Sequence, residues 1–419
     1  MQLTMTEKGF INLFEKTLGV FAFGFVLLPK LVPLFFILLI SVVVIGFIKK
    51  EVFFQINILS GLSLLFYLCY LVGLFFTHDS NLGVFELEKK LSFVIFPLLL
   101  SLKLKKTLSL NMTFIGFILG TFLVSIYGIW FALECFFQPG GTKACLLTSA
   151  ISPIHHPTYL SAYVFLSIAI AYHGWREKMA YFSLYWIIPF IIFGIVFHGF
   201  LLSLSGILFL FIALILILII WTKKKFSKIV FYTAICIFPL FGFIALNTIP
   251  QIHGEWDNAT LYAKEYIDNP ESFVSKRIYP MSGTEVRIVM WTASYHTFCA
   301  HPFGVGTGNV DEYLSKELVK LNQKELIYHN YNPHNQYLQT AVEIGFFGLL
   351  VLFSIVFFAL YYGFKYRNWL LIIIIGSLFF NCLFESMLQR QSGIVFYCFW
   401  ICLLSSRIYN KEMKLILKD

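Results

Sequence analysis

Apolar runs of about 20 residues follow one another along most of this chain, separated by short clusters of lysine and arginine. An α-helix rises about 1.5 Å per residue, so about 20 apolar residues cross the roughly 30 Å of hydrocarbon in a bilayer. Runs of this kind fall at 10–28, 31–48, 53–76, 84–102, 108–137, 157–173, 181–202, 204–221, 228–248, 336–364, 369–386 and 392–408. The fourth is the weakest. Glu86, Glu88, Lys89 and Lys90 occupy its first turns, which are expected at an interface or buried in protein. The seventh and eighth are nearly continuous, joined by a tight turn near Ser203–Gly206. The pattern predicts an all-α polytopic membrane protein of about 12 transmembrane helices.

One long hydrophilic segment, 249–335, interrupts the series between the ninth and tenth runs. Its apolar residues recur with helical period over 256–267, 284–299 and 309–323, so it is expected to be a folded helical loop. Ser282 followed by Glu285 is a helix-start signal for the second of these. The chain thus divides into 1–248 with nine spans, the loop at 249–335, and 336–419 with three spans and a tail.

Charge sets the orientation. With Lys8 and Lys16 in the cytoplasm, Lys49-Lys50, Lys103/Lys105/Lys106, Arg176/Lys178, Lys223-Lys224-Lys225/Lys228, Lys365/Arg367 and the tail lysines with Arg407 all land inside. The outside loops hold little more than Lys30, Lys143 and Arg390. Both termini are expected in the cytoplasm and 249–335 outside. The net charge of +9 is this positive-inside bias and no nucleic-acid footprint. Charged residues make up only 13% of the chain, against about 25% in soluble domains, and the mean hydropathy is +0.80, so membrane lipid is the medium of the fold. No small-residue cleavage site follows the first run, which is expected to stay as an anchor. Of the eight cysteines, Cys69, Cys236, Cys382, Cys398 and Cys402 lie in apolar runs and read as small core residues. Cys135 and Cys145 flank an outside loop where oxidation is feasible, and spacing leaves their bridging open.

The polar stretch Asn332-Pro333-His334-Asn335 closes the loop directly before the tenth run. An imidazole titrates at about 6.5 and so serves as a base near neutral pH. His334 is the candidate to take a proton from a substrate hydroxyl, with Asn332 and Asn335 orienting the ring or a sugar hydroxyl. The alternative is a histidine that caps an interfacial helix. Downstream, Gly345 and Gly348 are expected to let helices pack closely below the site. Arg287 lies four residues before Trp291, on the same helix face, where a guanidinium can grip a diphosphate in bidentate fashion. Arg277 is a second candidate, and a solvated loop arginine is the competing reading of both. His155, His156 and Tyr159 stand at the mouth of the sixth run as candidate ligands for sugar hydroxyls or phosphate, or as interfacial anchors. Glu385, Gln389 and Arg390 lie where the eleventh run ends, and an ionisable residue at that depth is a functional candidate by default, with a purely structural Glu385–Arg390 pair as the alternative. There is no P-loop, no GxGxxG, no HExxH and no Asp-x-Asp, and neither a cofactor nor a metal is expected.

Taken together, these motifs resemble the O-antigen ligase and polymerase superfamily. His334-Asn335-x-x-Leu338 with Gly345 and Gly348 is similar to the motif that ends the family's large periplasmic loop. Arg287-x-x-x-Trp291, then His301-Pro302-Phe303-Gly304-Val305-Gly306-x-Gly308-Asn309, resembles a second family segment. His156-Pro157-x-Tyr159 and Glu385-Ser386-Met387-Leu388 also look like segments of relatives. The resemblance is strongest over about 284–350 and is one of layout elsewhere. It implies a glycan carried on undecaprenyl diphosphate at the outer face of the inner membrane, and an acceptor that is lipid A–core or another glycan. It implies that Arg287 binds the diphosphate, that His334 deprotonates or positions the acceptor hydroxyl, and that no metal takes part.

One departure stands out. Many members of the family that this chain resembles carry an Arg or Lys after a Ser near the start of the eighth helix, a second phosphate contact. Here that region reads Leu202-Ser203-Leu204-Ser205-Gly206-Ile207, with no Lys or Arg between Lys178 and Lys223. Arg390 or Arg277 is left to supply the second cation. A ligase is the leading reading, and a polymerase shares its motifs. A transporter or flippase of lipid-linked sugars is the rival from another class. A repeat symmetry, the mark of many transporters, is not visible in the sequence.

Overall fold

The computed structural model describes residues 7–104, 108–201, 206, 208 and 250–416. Its helices are α1 (Glu7–Leu27), α2 (Val32–Ile48), α3 (Ile58–Gly73), α4 (Ser80–Lys90), α5 (Ser92–Leu100), α6 (Asn111–Phe137), α7 (Pro157–Arg176) and α8 (Leu184–Leu201). They continue with α9 (Pro250–Asp268), α10 (Pro270–Ser275), α11 (Gly283–Ala300), α12 (Val310–Lys320), α13 (Gln336–Lys365), α14 (Trp369–Asn381) and α15 (Gln391–Ile416). Two short strands, β1 (Val52–Phe54) and β2 (Leu102–Leu104), pair antiparallel.

Among the described residues, seven stretches are long and apolar enough to cross a membrane: Gly9–Leu27, Pro29–Ile48, Ile58–Phe76, Asn111–Phe137, Leu184–Leu201, Gln336–Lys365 and Gln391–Ile408. The chain is a multi-pass helical membrane protein. The remaining expected spans turn out differently. The run 84–102 is two short helices, α4 and α5, that meet at Leu91. The run 157–173 is α7, of spanning length but rich in Thr, Ser, Tyr and His, and buried by its neighbours along most of its course. The run 369–386 gives only α14, 13 residues long, and then an irregular segment up to Arg390. The runs 204–221 and 228–248 lie almost wholly outside the described residues.

The bundle has two distinguishable ends. At one, β1 pairs with β2 and brings the Lys49-Lys50 turn beside Lys103. From there α3 starts on an Asn57 cap and runs to Gly73, where the loop segment docks. The basic loops at 49–50 and 103 and the polar loop thus lie at opposite ends of one helix. Residues 250–335 fold around a core of their own, in which Phe273, Val274, Val286, Val289, Met290, Leu314, Leu318 and Leu326 are buried. The helices foreseen at 256–267, 284–299 and 309–323 are α9, α11 and α12, and α11 opens on a complete capping box between Ser282 and Glu285. Cys135 and Cys145 are joined as a disulfide, while Cys382, Cys398 and Cys402 are buried and free.

The loop unit is spliced to the bundle through its backbone. At Gly345 (φ 70°, ψ −166°) α13 breaks. A broken helix leaves carbonyls and amides without their i, i+4 partners, and at membrane depth each must find another. Residues 302–306 supply them. Val305 N donates to Val342 O (2.8 Å), Gly306 N to Glu343 O (3.1 Å), and Phe346 N to Pro302 O (2.9 Å). The same turn grips α3 and the residues after it. The Thr307 hydroxyl donates to Tyr70 O (2.7 Å), Thr307 N to Gly73 O (3.2 Å) and Asn309 Nδ2 to Phe76 O (2.9 Å). Gly345 is therefore a docking point for backbone, and the expectation that it and Gly348 serve alike as a close-packing pair is corrected. A Cβ at 345 would lie 2.2 Å from the Phe303 carbonyl carbon, whereas one at 348 would meet the Ile344 side chain.

Gly345→Ala is expected to lose about 3 kcal/mol or more, from left-handed strain plus a backbone clash. Gly348→Ala is expected to lose about 1–2 kcal/mol, since Ile344 can repack. Thermal unfolding of the two purified variants in detergent compares them.

Candidate functional site

The segment Asn332–Gln336 lies zipped against Cys382–Leu388. Gln336 N donates to Cys382 O (2.8 Å), and Leu388 N donates to the buried Gln336 Oε1 (2.6 Å). Asn335 caps α13 by accepting from Leu338 N (3.0 Å), and its Nδ2 reaches Leu383 O (3.1 Å). Asn332 Oδ1 accepts from the His334 amide (2.8 Å) and from the Ser386 hydroxyl (3.3 Å). Between these ties His334 sits at φ 47°, a left-handed conformation uncommon for a residue with a Cβ. Strain of this kind persists only where the surroundings fix it.

His334 Nδ1 is 3.3 Å from Glu385 Oε2. The carboxylate is 9% exposed and the imidazole 24%, so the pair is shielded but reachable. Burial alone would raise the Glu385 carboxyl, but the His334 hydrogen bond and charge, with His156 and the Ser386 amide, outweigh it and hold it below its usual range. With Nδ1 donating to Glu385, Nε2 is left with its lone pair for an incoming proton. A carboxylate that orients a histidine and stabilises its charged form is the arrangement of a general base.

A second histidine and two arginines belong to the same neighbourhood. His156, the first residue before α7, is held below its ordinary pKa by the surrounding protein. Arg390, His334 and Arg287 add to the shift against the pull of Glu385. Glu385, Arg390, His334 and Arg287 are therefore all within electrostatic reach of His156, although the five groups come from four separate regions of the chain. Four of the five stand at or near a helix N-terminus: His156 at α7, Arg287 in the second turn of α11, His334 just before α13 and Arg390 just before α15, while Glu385 lies in the irregular segment after α14. Helix N-termini present unpaired amides and partial positive charge, which favours an anion. Arg287 and Trp291 share a face of α11, and their Nε and Nε1 donors are buried without a partner among the described residues. Arg390 is exposed. The arrangement can hold a phosphate or diphosphate next to a base.

The other candidates have different placements. His155 is buried between Val26 O (Nε2, 2.6 Å) and the Ser392 hydroxyl (Nδ1, 2.9 Å), and burial lowers its pKa to about 4. It is a neutral tie between α1, α7 and α15. Tyr159 is buried and donates to Ser386 O (3.2 Å), which braces the segment that carries Glu385. Arg277 already has its charge matched. It pairs with Glu265 and, at 2.9 Å, with Glu285, and lies over the Phe273 and Tyr262 rings. The expectation that it shares in an anion site is revised on that ground.

A buried ion network underneath was not foreseen as part of the site. Lys90 is fully buried, with Nζ 2.8 Å from Glu86, 3.7 Å from Glu343 and 3.2 Å from Gln389 Oε1. Glu343 also accepts from Gln389 Nε2 (3.0 Å) and Gln339 Nε2 (3.3 Å). The network joins α4, the first half of α13 and the residue before Arg390. The sequence offered a signal in Glu343, a lone carboxylate inside an apolar run.

Residues 188–353 match the family model described as O-antigen ligase. No curated protein matches the chain. The matched stretch contains Arg287, Trp291, the glycine-rich turn and His334, while His156, Glu385 and Arg390 lie outside it.

Lys90→Met leaves Glu343 buried without its cation and is expected to cost about 3–5 kcal/mol, read by thermal unfolding. Adding Glu343→Gln is expected to recover most of that loss, because a neutral pair needs no buried counter-charge.

Proposed function

We propose that this chain, a member of the O-antigen ligase superfamily, is a membrane glycosyltransferase that moves a glycan from undecaprenyl diphosphate to an acceptor hydroxyl, first of all to lipid A–core. The family's enzymes are membrane ligases and polymerases that act on lipid-linked glycans. The observation that carries the reading is the His334–Glu385 pair beside His156, which Arg287 and Arg390 also reach electrostatically.

The chemistry follows from the layout. The donor's diphosphate lies against Arg287 and Arg390, and Trp291 offers its indole N–H beside them. Arg390 thereby supplies the cation that the 202–207 stretch lacks. An acceptor hydroxyl approaches His334 Nε2 and gives up its proton there, while Glu385 steadies the imidazolium that forms. The acceptor oxygen bonds to the anomeric carbon, the bond from that carbon to the phosphate oxygen breaks, and undecaprenyl diphosphate departs. The leaving group is already activated, so no nucleotide is needed. Each well-placed donor to the developing phosphate charge contributes about 3–4 kcal/mol, and a positioned base about 10²–10⁴-fold. The active site faces the periplasm of the inner membrane, with both termini in the cytoplasm. The lysine clusters and the oxidised Cys135–Cys145 pair support that orientation. Polymerisation uses the same chemistry and differs only in the acceptor.

Full-length protein reconstituted in liposomes with a lipid-linked glycan donor and a core acceptor tests the roles. His334→Ala is expected to cut transfer by about 10²–10⁴-fold while donor binding persists. Glu385→Gln is expected to cut it by about 10²-fold with similarly intact donor binding. Arg287→Ala is expected to weaken donor binding about tenfold or more. Transfer at the parental rate by His334→Ala would remove the base, and donor binding unchanged in Arg287→Ala would remove the diphosphate clamp.

A further inference from the structure

A line of rings leads from the surface of the loop unit to His334. Tyr279 stacks on His329 with centroids 4.6 Å apart and planes 22° apart. His329 lies 5.6 Å from Tyr331, and Tyr331 lies 6.1 Å from His334. Tyr279 comes from the link between α10 and α11, and the others from the stretch that leads into α13. The outer part of the line is open to solvent. Tyr279 is 37% exposed and His329 is exposed, with Ile278 (84%) and Tyr328 (81%) flanking them. None of these four exposed residues belongs to the buried core of the loop unit, whereas Tyr331 is partly buried against it. Packing of that core therefore does not explain why large rings stay at the surface here.

We propose that Tyr279, His329 and Tyr331 form a saccharide subsite along which the acceptor glycan reaches His334. The proposal rests on the transferase reading and adds a binding surface to it. Sugar rings present C–H faces that lie against aromatic rings, and hydroxyl edges that bond to tyrosine O–H and imidazole nitrogen. Rigid rings contribute contact area at a low entropic cost, and the Tyr279–His329 stack fixes two of them in advance. The acceptor is favoured over the donor by where the line ends. It terminates on the ring assigned to the acceptor hydroxyl, whereas the donor is anchored by its diphosphate at Arg287 and Arg390. The three rings also come entirely from the loop unit, where a water-side glycan has no lipid to accommodate.

The test uses full-length protein in nanodiscs and, as probe, core oligosaccharide freed of its lipid by deacylation. Saturation-transfer NMR reads binding without turnover. The Tyr279→Ala/His329→Ala protein is expected to bind the probe about tenfold more weakly than wild type. Tyr279→Phe/His329→Phe, which keeps both rings, is expected to retain most of the affinity, and Arg287→Ala to bind as wild type does. In transfer assays the alanine pair is expected to raise the acceptor KM about tenfold and to leave the donor KM unchanged. Equal probe binding by wild type and the alanine pair overturns the subsite, as does an absence of binding to wild type. Equal loss in Arg287→Ala would assign the rings to the donor and also overturn it. His334-dependent transfer that survives any of these results leaves the transferase reading standing, and a wild-type protein that transfers nothing removes both.

Discussion

The fold of the site depends on one broken helix. At Gly345 the backbone of α13 leaves its helical path, and the groups so freed are satisfied by Pro302, Val305 and Gly306 of the polar loop. Neither partner is complete alone. The break would expose unpaired backbone at membrane depth, and the glycine-rich turn would have nothing to hold its left-handed residues in place. Joined, they weld the loop unit to α3 and fix the first half of α13, whose entry carries His334.

From that splice the remaining geometry follows. The entry to α13 is tied to the segment after α14 by Gln336, Asn335 and Asn332. That segment brings Glu385 to His334 and sets Arg390 at the start of α15. Beneath, the Lys90–Glu343–Gln389 network fixes the same two pieces against α4. The buried Lys90 is expensive to desolvate and stays only because Glu86 and Glu343 lie beside it, so the network favours one arrangement over its alternatives. A histidine in a strained conformation needs such surroundings, because strain of this kind persists only where neighbouring groups fix it.

Much of this was legible in the sequence, and the gaps have physical causes. Apolar run length gave the seven membrane-spanning stretches found among the described residues, and the capping signal at Ser282 and Glu285 placed the start of α11. His334 and Arg287 stood out because each is a polar residue next to a helix with a defined face. The pairing of His334 with Glu385 was hidden, since it depends on how distant helices pack, and Glu385 read as well as a partner for Arg390. The same holds for Lys90, whose partner Glu343 comes from a distant helix. Run length also could not tell a straight span from a kinked one, as at 84–102, where the chain turns at Leu91 so that Lys90 can be buried beside Glu86. Nor could it foresee that Arg277, in the link between α10 and α11, would be matched by Glu265 of α9 and Glu285 of α11.

Ligation is tested most directly by the surface glycan and the lipid-linked glycan of a strain that lacks this chain, with wild type or His334→Ala restored. Gel analysis of lipopolysaccharide is expected to show bare core in the deletion and with His334→Ala, while long glycan chains accumulate on undecaprenyl diphosphate. Wild type is expected to restore capped core. Core that bears a single repeat unit would contradict ligation and indicate a polymerase, and a glycan profile unchanged by the deletion would contradict glycan transfer itself.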